Sequence, residues 1–124
     1  MKEIGKDEYL IRALSGRNSI LDAVLKRIAI FAEDETLMVE LEFEMRASSD
    51  YRRVILKFVD VSEYSFYHND KYLFYNVEHL KFLRLANGLY YISLDPHDEA
   101  KAPSNEDQDL VVAKSVSGYE RETS

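Results

Sequence analysis

The chain has 124 residues, 46% of them hydrophobic and 31% charged, with a formal net charge of −7. This is the length of one domain, spanning 1–124, with an ordinary globular composition. There is no cysteine, which excludes disulfides, thiolate metal sites and cysteine nucleophiles, and the acidic balance disfavours nucleic acid, whose phosphates need clustered cations.

Met1–Glu8 is charged and lacks an apolar signal core, and no apolar run approaches the ~20 residues that span a bilayer. The expectation is a cytoplasmic protein with no membrane segment and with residues 1–7 frayed. Tyr9–Leu14 reads either as a short strand or as one helical turn. Ser15–Ser19 is a loop by composition.

Residues 19–31 support two readings. Ser19-Ile20-Leu21-Asp22 has the form of a capping box with Asp in place of Glu, and Ile20, Leu21, Val24, Leu25 and Ile28 are spaced for a helix. Against this, Ile28–Phe31 is β-like, and the next stretch decides the matter. Leu37–Met45 alternates strictly, with Leu37, Val39, Leu41, Phe43 and Met45 on one side and Glu40, Glu42 and Glu44 on the other. If Glu33–Thr36 is a hairpin loop, Ala32 faces Leu37, Ile30 faces Val39, Ile28 faces Leu41 and Val24 faces Met45. Arg27 then faces Glu42, and only Lys26 opposite Phe43 fits badly. Such pairs stabilise by roughly 0.2–1 kcal/mol each. Residues 24–32 are therefore expected as a strand, with at most a turn of helix before it.

Arg53–Phe58 alternates again. Pairing Phe43 with Val54, Leu41 with Leu56 and Val39 with Phe58 also sets Glu44 beside Arg53 and Glu40 beside Lys57. A slip of one residue would turn glutamates toward the core, so the register is well specified. The glutamate stripe is expected to be a charge-paired outer face.

An aromatic-rich region follows, with short strands expected near 64–67 and 72–76 around the turn His68–Lys71. His79–Leu85 and Leu89–Leu94 flank Ala86-Asn87-Gly88, a hairpin signal. A three-residue loop with Gly88 left-handed pairs Phe82 with Ile92, Leu83 with Tyr91 and Leu80 with Leu94, and sets His79 opposite Asp95. Asp95–Asp109 holds six acidic residues and both prolines and reads as a long exposed acidic loop, open to disorder. Leu110–Val116 is a last strand, and residues 120–124 read as a frayed tail. The fold class expected is mainly β: an antiparallel sandwich or open barrel of about eight short strands with little helix.

No complete catalytic, metal or nucleotide motif is present, and no cofactor is expected. Asp95-Pro96-His97-Asp98-Glu99 invites a divalent-cation reading, but its spacing matches no calcium loop and the turn glycine is missing. A solvated acidic face is the simpler reading. No serine sits in a Gly-flanked elbow that would point it at one of the three histidines. The candidate binding residues are Tyr67, Tyr75, Tyr90 and Tyr91 with Asp95, Asp98 and Glu99, because tyrosine is enriched at interface hot spots. His79 with Asp95 is the alternative, as an acid/base pair.

Tyr90-Tyr91-Ile92-Ser93-Leu94-Asp95-Pro96, the acidic spacer and Asp109–Tyr119 together resemble small uncharacterised bacterial proteins, some of them similar to the immunity proteins of toxin systems. The resemblance covers residues 50–119 and is one of fold cadence, so it transfers no catalytic residue. It implies a non-enzymatic protein whose acidic loop and tyrosines cover a basic protein partner, with steered, salt-sensitive association. The rival reading is a small enzyme or small-ligand binder using a His79, Asp95 and Tyr pocket. A third is a homodimer joined through a self-complementary tyrosine-rich face.

Overall fold

The computed structural model describes residues 1–71 and 74–122. Among these, the chain forms β1 (Lys2–Lys6), α1 (Asp7–Ala13), a 3-10 turn (Gly16–Asn18), β2 (Val24–Glu33), β3 (Thr36–Glu44), β4 (Arg53–Ser65), β5 (Lys81–Arg84), β6 (Tyr90–Asp95) and β7 (Gln108–Glu120). All seven strands join one antiparallel sheet in the order β2-β3-β4-β7-β6-β5, with β1 also on β7. The fold is mainly β and the sheet stays open. No helix among the described residues is long and apolar enough to cross a membrane.

The meander β2-β3-β4 has the register the alternation dictates. Ala32 pairs with Leu37, Ile30 with Val39 and Ile28 with Leu41; Phe43 pairs with Val54, Leu41 with Leu56 and Val39 with Phe58. One detail differs. The ladder slips between Leu25 and Arg27, so Leu25 opposes Phe43 and Val24 opposes Glu44 rather than Met45. Lys26 is the extra residue of a bulge, which removes the mismatch of a lysine against a phenylalanine. Residues 19–23, directly before β2, are not helical. Ser19 Oγ accepts the Leu21 N–H at 3.0 Å, and Asp22 takes a left-handed φ of 67°, which makes this segment a turn.

The glutamate stripe is only partly an outer face. Glu40 pairs with Arg27 and Glu44 with Lys26, both at 3.7 Å, near solvent. Glu42 is 4% exposed, and Arg53 and Arg121 grip it at 2.7 and 2.9 Å. Two guanidinium forks supply the donors that a buried carboxylate requires.

β7 is the hub. It pairs with β4 from Leu110 to Glu120. On its other edge β6 takes residues 108–113 and β1 takes 117–120. Asp7 fills the gap between them: its Oδ1 accepts from Ser115 Oγ at 2.8 Å and from the Val116 N–H at 2.9 Å. The expectation of frayed ends is thus overturned at 2–7 and at Glu120, because β7 offers an edge that residues 2–6 complete. Arg121 N–H also donates to the Arg53 carbonyl, and Thr123 and Ser124 lie outside the described residues.

Seven strands among the described residues stand where about eight short ones were expected, and β4 and β7 are the long exceptions. Tyr64 and Ser65 close the 13-residue β4, which bends at a bulge between Val61 and Glu63 instead of ending. Of the strand expected at 72–76, Tyr72 and Leu73 lie outside the described residues. Phe74 and Tyr75 form a turn, and Asn76 makes a single bridge to Val24. The hairpin at 81–95 follows the three-residue loop. Phe82 pairs with Ile92 and Leu83 with Tyr91, and Gly88 sits at φ 85°.

The main core lies on one face of the sheet. Leu10 of α1 and Ile20 pack there with Leu41, Phe43, Leu56, Phe58 and Ile92, all fully buried. Burial of side chains of this size stabilises by ~1.5–3 kcal/mol each. A smaller cluster occupies the opposite face of β6 and β7, where Tyr91, Leu110 and Val112 meet Leu83, Leu85 and Leu89.

Candidate functional site

The loop from Asp95 to Asp109 leads to the site; Asp95, Asp98, Glu99 and Glu106 stay exposed, as composition suggests, while Asp107 and Asp109 turn inward. It folds around Asp107. That carboxylate accepts from Lys81 Nζ at 3.0 Å, Tyr91 OH at 2.6 Å, His97 N at 2.8 Å and Ser104 N at 2.9 Å. Burial alone would raise its pKa, but these donors override burial and hold it at about 2. Lys81 is equally enclosed. Burial opposes its charge, yet Asp98 at 2.8 Å and Asp107 outweigh that and raise its pKa. Asp98 and His97 therefore have partners already, His97 with Glu106 at 2.8 Å. Among the described residues no group of three or more acidic or histidine side chains is placed to hold a metal ion.

A cleft of about 300 Å³ opens where this loop rejoins β7. β6 ends there with Leu94 and Asp95, β7 begins there with Gln108 and Asp109, and Tyr67, Lys71, Phe74, Asn76, Glu78 and His79 form the facing wall. Its titratable groups among the described residues are Tyr67, Lys71, Glu78, His79, Asp95 and Asp109. Asp109 is 7% exposed, has φ 52° and accepts the Tyr67 N–H at 2.9 Å. Burial pushes its carboxyl above the usual range and neighbouring Asp95 adds to this, against the Tyr67 hydrogen bond and His68. A buried carboxyl with a raised pKa in a cleft marks a candidate site.

The predicted site residues divide. Tyr67, His79 and Asp95 come together in this cleft. His79 and Asp95 are not cross-strand partners, because the β5 ladder stops at Lys81, paired with Ser93. Tyr75 is 49% exposed on the adjacent turn but does not line the cleft. Asp98 and Glu99 line a second, shallower depression of about 770 Å³ beside Leu14 and Phe82, and His79 lies on both rims. Tyr90 and Tyr91 are corrected. They are 6% and 3% exposed, one in the main core and the other bound to Asp107, so neither is a surface contact. They are strand residues covered on both faces of the sheet, which period-2 alternation alone does not reveal.

Asp109, Glu78 and Lys71 were not among the expected residues. Asp109 stands at the junction of an acidic run and an apolar strand, where the chain turns inward, and that junction was the available signal. Among the described residues no serine, threonine or cysteine lines the cleft, and its one hydroxyl is the Tyr67 phenol. Its three carboxyls against one lysine, beside an exposed phenol ring, make a surface suited to a cation. Comparison of the chain with protein-family models, curated proteins and solved structures finds no match in any of the three.

Proposed function

We propose that this protein is a non-enzymatic binding domain for a basic protein, and that the cleft at Tyr67, Glu78, Asp95 and Asp109 receives a Lys or Arg side chain of that partner. The observation that carries the reading is the excess of carboxyls over cations in one preformed cleft, with Tyr67 51% exposed at its rim. The folded Asp107 loop supports it, because a wall fixed before binding loses little conformational entropy on association. An immunity-like role, with a basic toxin as the partner, is the specific form of this proposal. The lack of cysteine supports a cytoplasmic setting for it.

The test is capture of bound proteins from the native host by the wild-type chain and by Glu78→Gln/Asp95→Asn. The expected outcome is a protein of net positive charge that the wild type retains, that the variant loses and that salt releases. A partner held equally by both chains and indifferent to salt would sink the proposal.

The meeting of Tyr67, His79 and Asp95 in one cleft favours a second reading, a small-ligand binder. Chemical-shift changes confined to these three residues with a small cationic metabolite, in the absence of any protein partner, would favour it over the first.

A further inference from the structure

The sheet presents three edges. β5 is four residues long and lies near α1, where Arg84 and Glu8 form an ion pair at 3.4 Å. β1 is broken by an irregularity between Glu3 and Gly5 and carries Lys2 and Lys6. Short length, bulges and lysines are the usual means of keeping an edge from pairing. β2 is different. Beyond its bridge from Val24 to Asn76, no strand among the described residues runs along its outer side. The regular part of that edge is Arg27–Glu33, between the Lys26 bulge and the turn. Its run Ile28-Ala29-Ile30-Phe31-Ala32 is apolar, and Ile30 is 42% exposed.

The turn determines which backbone groups face outward. Asp34 and Glu35 both have positive φ, 51° and 63°, in a two-residue loop closed by Glu33 and Thr36. Residues flanking such a loop exchange both hydrogen bonds, and every second residue back along the strand does the same. Ala29, Phe31 and Glu33 therefore use their N–H and C=O on β3. Those of Ile28, Ile30 and Ala32 point off the outer edge, where no strand among the described residues pairs with them.

We infer that β2 is a dimerisation edge that pairs antiparallel with β2 of a second copy of this chain, about a two-fold axis at Ile30. In that register Ile30 opposes Ile30, and Ile28 opposes Ala32 on each side. All three outward-pointing residues then form hydrogen-bonded pairs. On the other face Ala29 opposes Phe31, and Arg27 opposes Glu33. Large side chains meet small ones and opposite charges meet, twice each by symmetry. Moving the axis two residues in one direction sets Asp34 against Ile30; in the other it carries the pairing into the Lys26 bulge. The self-complementary register coincides with the unguarded stretch, and it joins two sheets into one while covering Ile30.

Sedimentation of the full chain from about 10 µM to about 1 mM tests this. A concentration-dependent dimer is expected. Arg27→Glu or Glu33→Arg alone sets like charges opposite each other at two places and is expected to weaken the dimer about tenfold. A mixture of the two single variants restores both ion pairs and is expected to form a heterodimer within about threefold of wild type. Ile30→Pro removes an outward N–H but no bond to β3, so it is expected to abolish the dimer and keep the far-ultraviolet spectrum. The charge variants change exposed side chains, so they remain informative if the proline variant misfolds. A chain that stays monomeric throughout overturns the inference. So does a dimer indifferent to the charge reversals, or a mixture no tighter than its components.

Discussion

Lys81 Nζ lies 3.0 Å from Asp107, with 3% and 0% of the two side chains exposed. Each is the reason the other is tolerated in the interior. Taking one away strands the other in a poorly solvated site, at a cost of about 3–5 kcal/mol. Lys81→Met is expected to lose about that much in urea unfolding and to open residues 96–107 to limited proteolysis. A loss under ~1 kcal/mol with an uncut loop would mean that the loop is held by other contacts.

The same carboxylate sets a pH dependence. Asp107 in the fold sits at about 2, below its ordinary 3.8. Its stabilisation is therefore complete above about pH 4 and is lost as pH falls toward 2, an effect of about 2 kcal/mol. Asp109 acts in the opposite sense, since burial raises its carboxyl and protonation there favours the fold. The stability difference between wild type and Asp107→Asn is expected to shrink as pH falls through 4 to 2. A difference that is constant over that range would contradict the assignment.

Gly118 of β7 lies directly under Leu10 of α1, so a β-carbon there would run into the Leu10 side chain, which is fully buried. Gly118→Ala is expected to cost about 1–3 kcal/mol by overpacking. Leu10→Ala alone should cost about 2–5 kcal/mol through the void it leaves. The double variant is expected to be more stable than the sum of the two losses, because each change relieves the other. Strict additivity in thermal melts would show that helix and strand do not press together there.

Asp109 separates stability from binding. Asparagine keeps the left-handed backbone and an oxygen for the Tyr67 N–H while discarding a charge that burial disfavours. Asp109→Asn is expected to be at least as stable as wild type at pH 7 and weaker in binding a basic partner. Asp109→Ala loses the acceptor and strains the backbone, and should cost about 1–3 kcal/mol. Equal stability of the two variants would remove the hydrogen bond from consideration.

The β2-β3-β4 meander was legible because Leu37–Met45 alternates without a break and forces its neighbours into register. The lone misfit, Lys26 against Phe43, was the visible mark of the bulge. Gly88 similarly gave away the three-residue turn. The site was legible only in part. Tyr67, His79 and Asp95 belong to it, but the acidic loop gave no indication that Asp107 folds inward while its neighbours stay out. Lys81 held half the clue, because a lysine on the face shared by Leu83 and Tyr91 needs a buried anion. Six acidic residues in that loop were equally eligible on sequence alone. Several aspartates also serve the backbone: Asp7, Asp22, Asp34, Asp60 and Asp109 all take positive φ. Part of the acidity is thus turn chemistry, which a net charge does not separate from a binding surface.

β7 touches β4, β6 and β1, and these three make their central pairings through it. A ribosome delivering this chain must release residues up to Glu120 before β4 gains its second neighbour or residues 2–6 gain any. Until then the apolar strands already made wait with open edges, a state prone to association. Because the joining contacts span most of the chain, closure should be slow for a domain of this size. A nascent chain stalled short of residue 108 should therefore recruit chaperones, and one extended past 120 should release them.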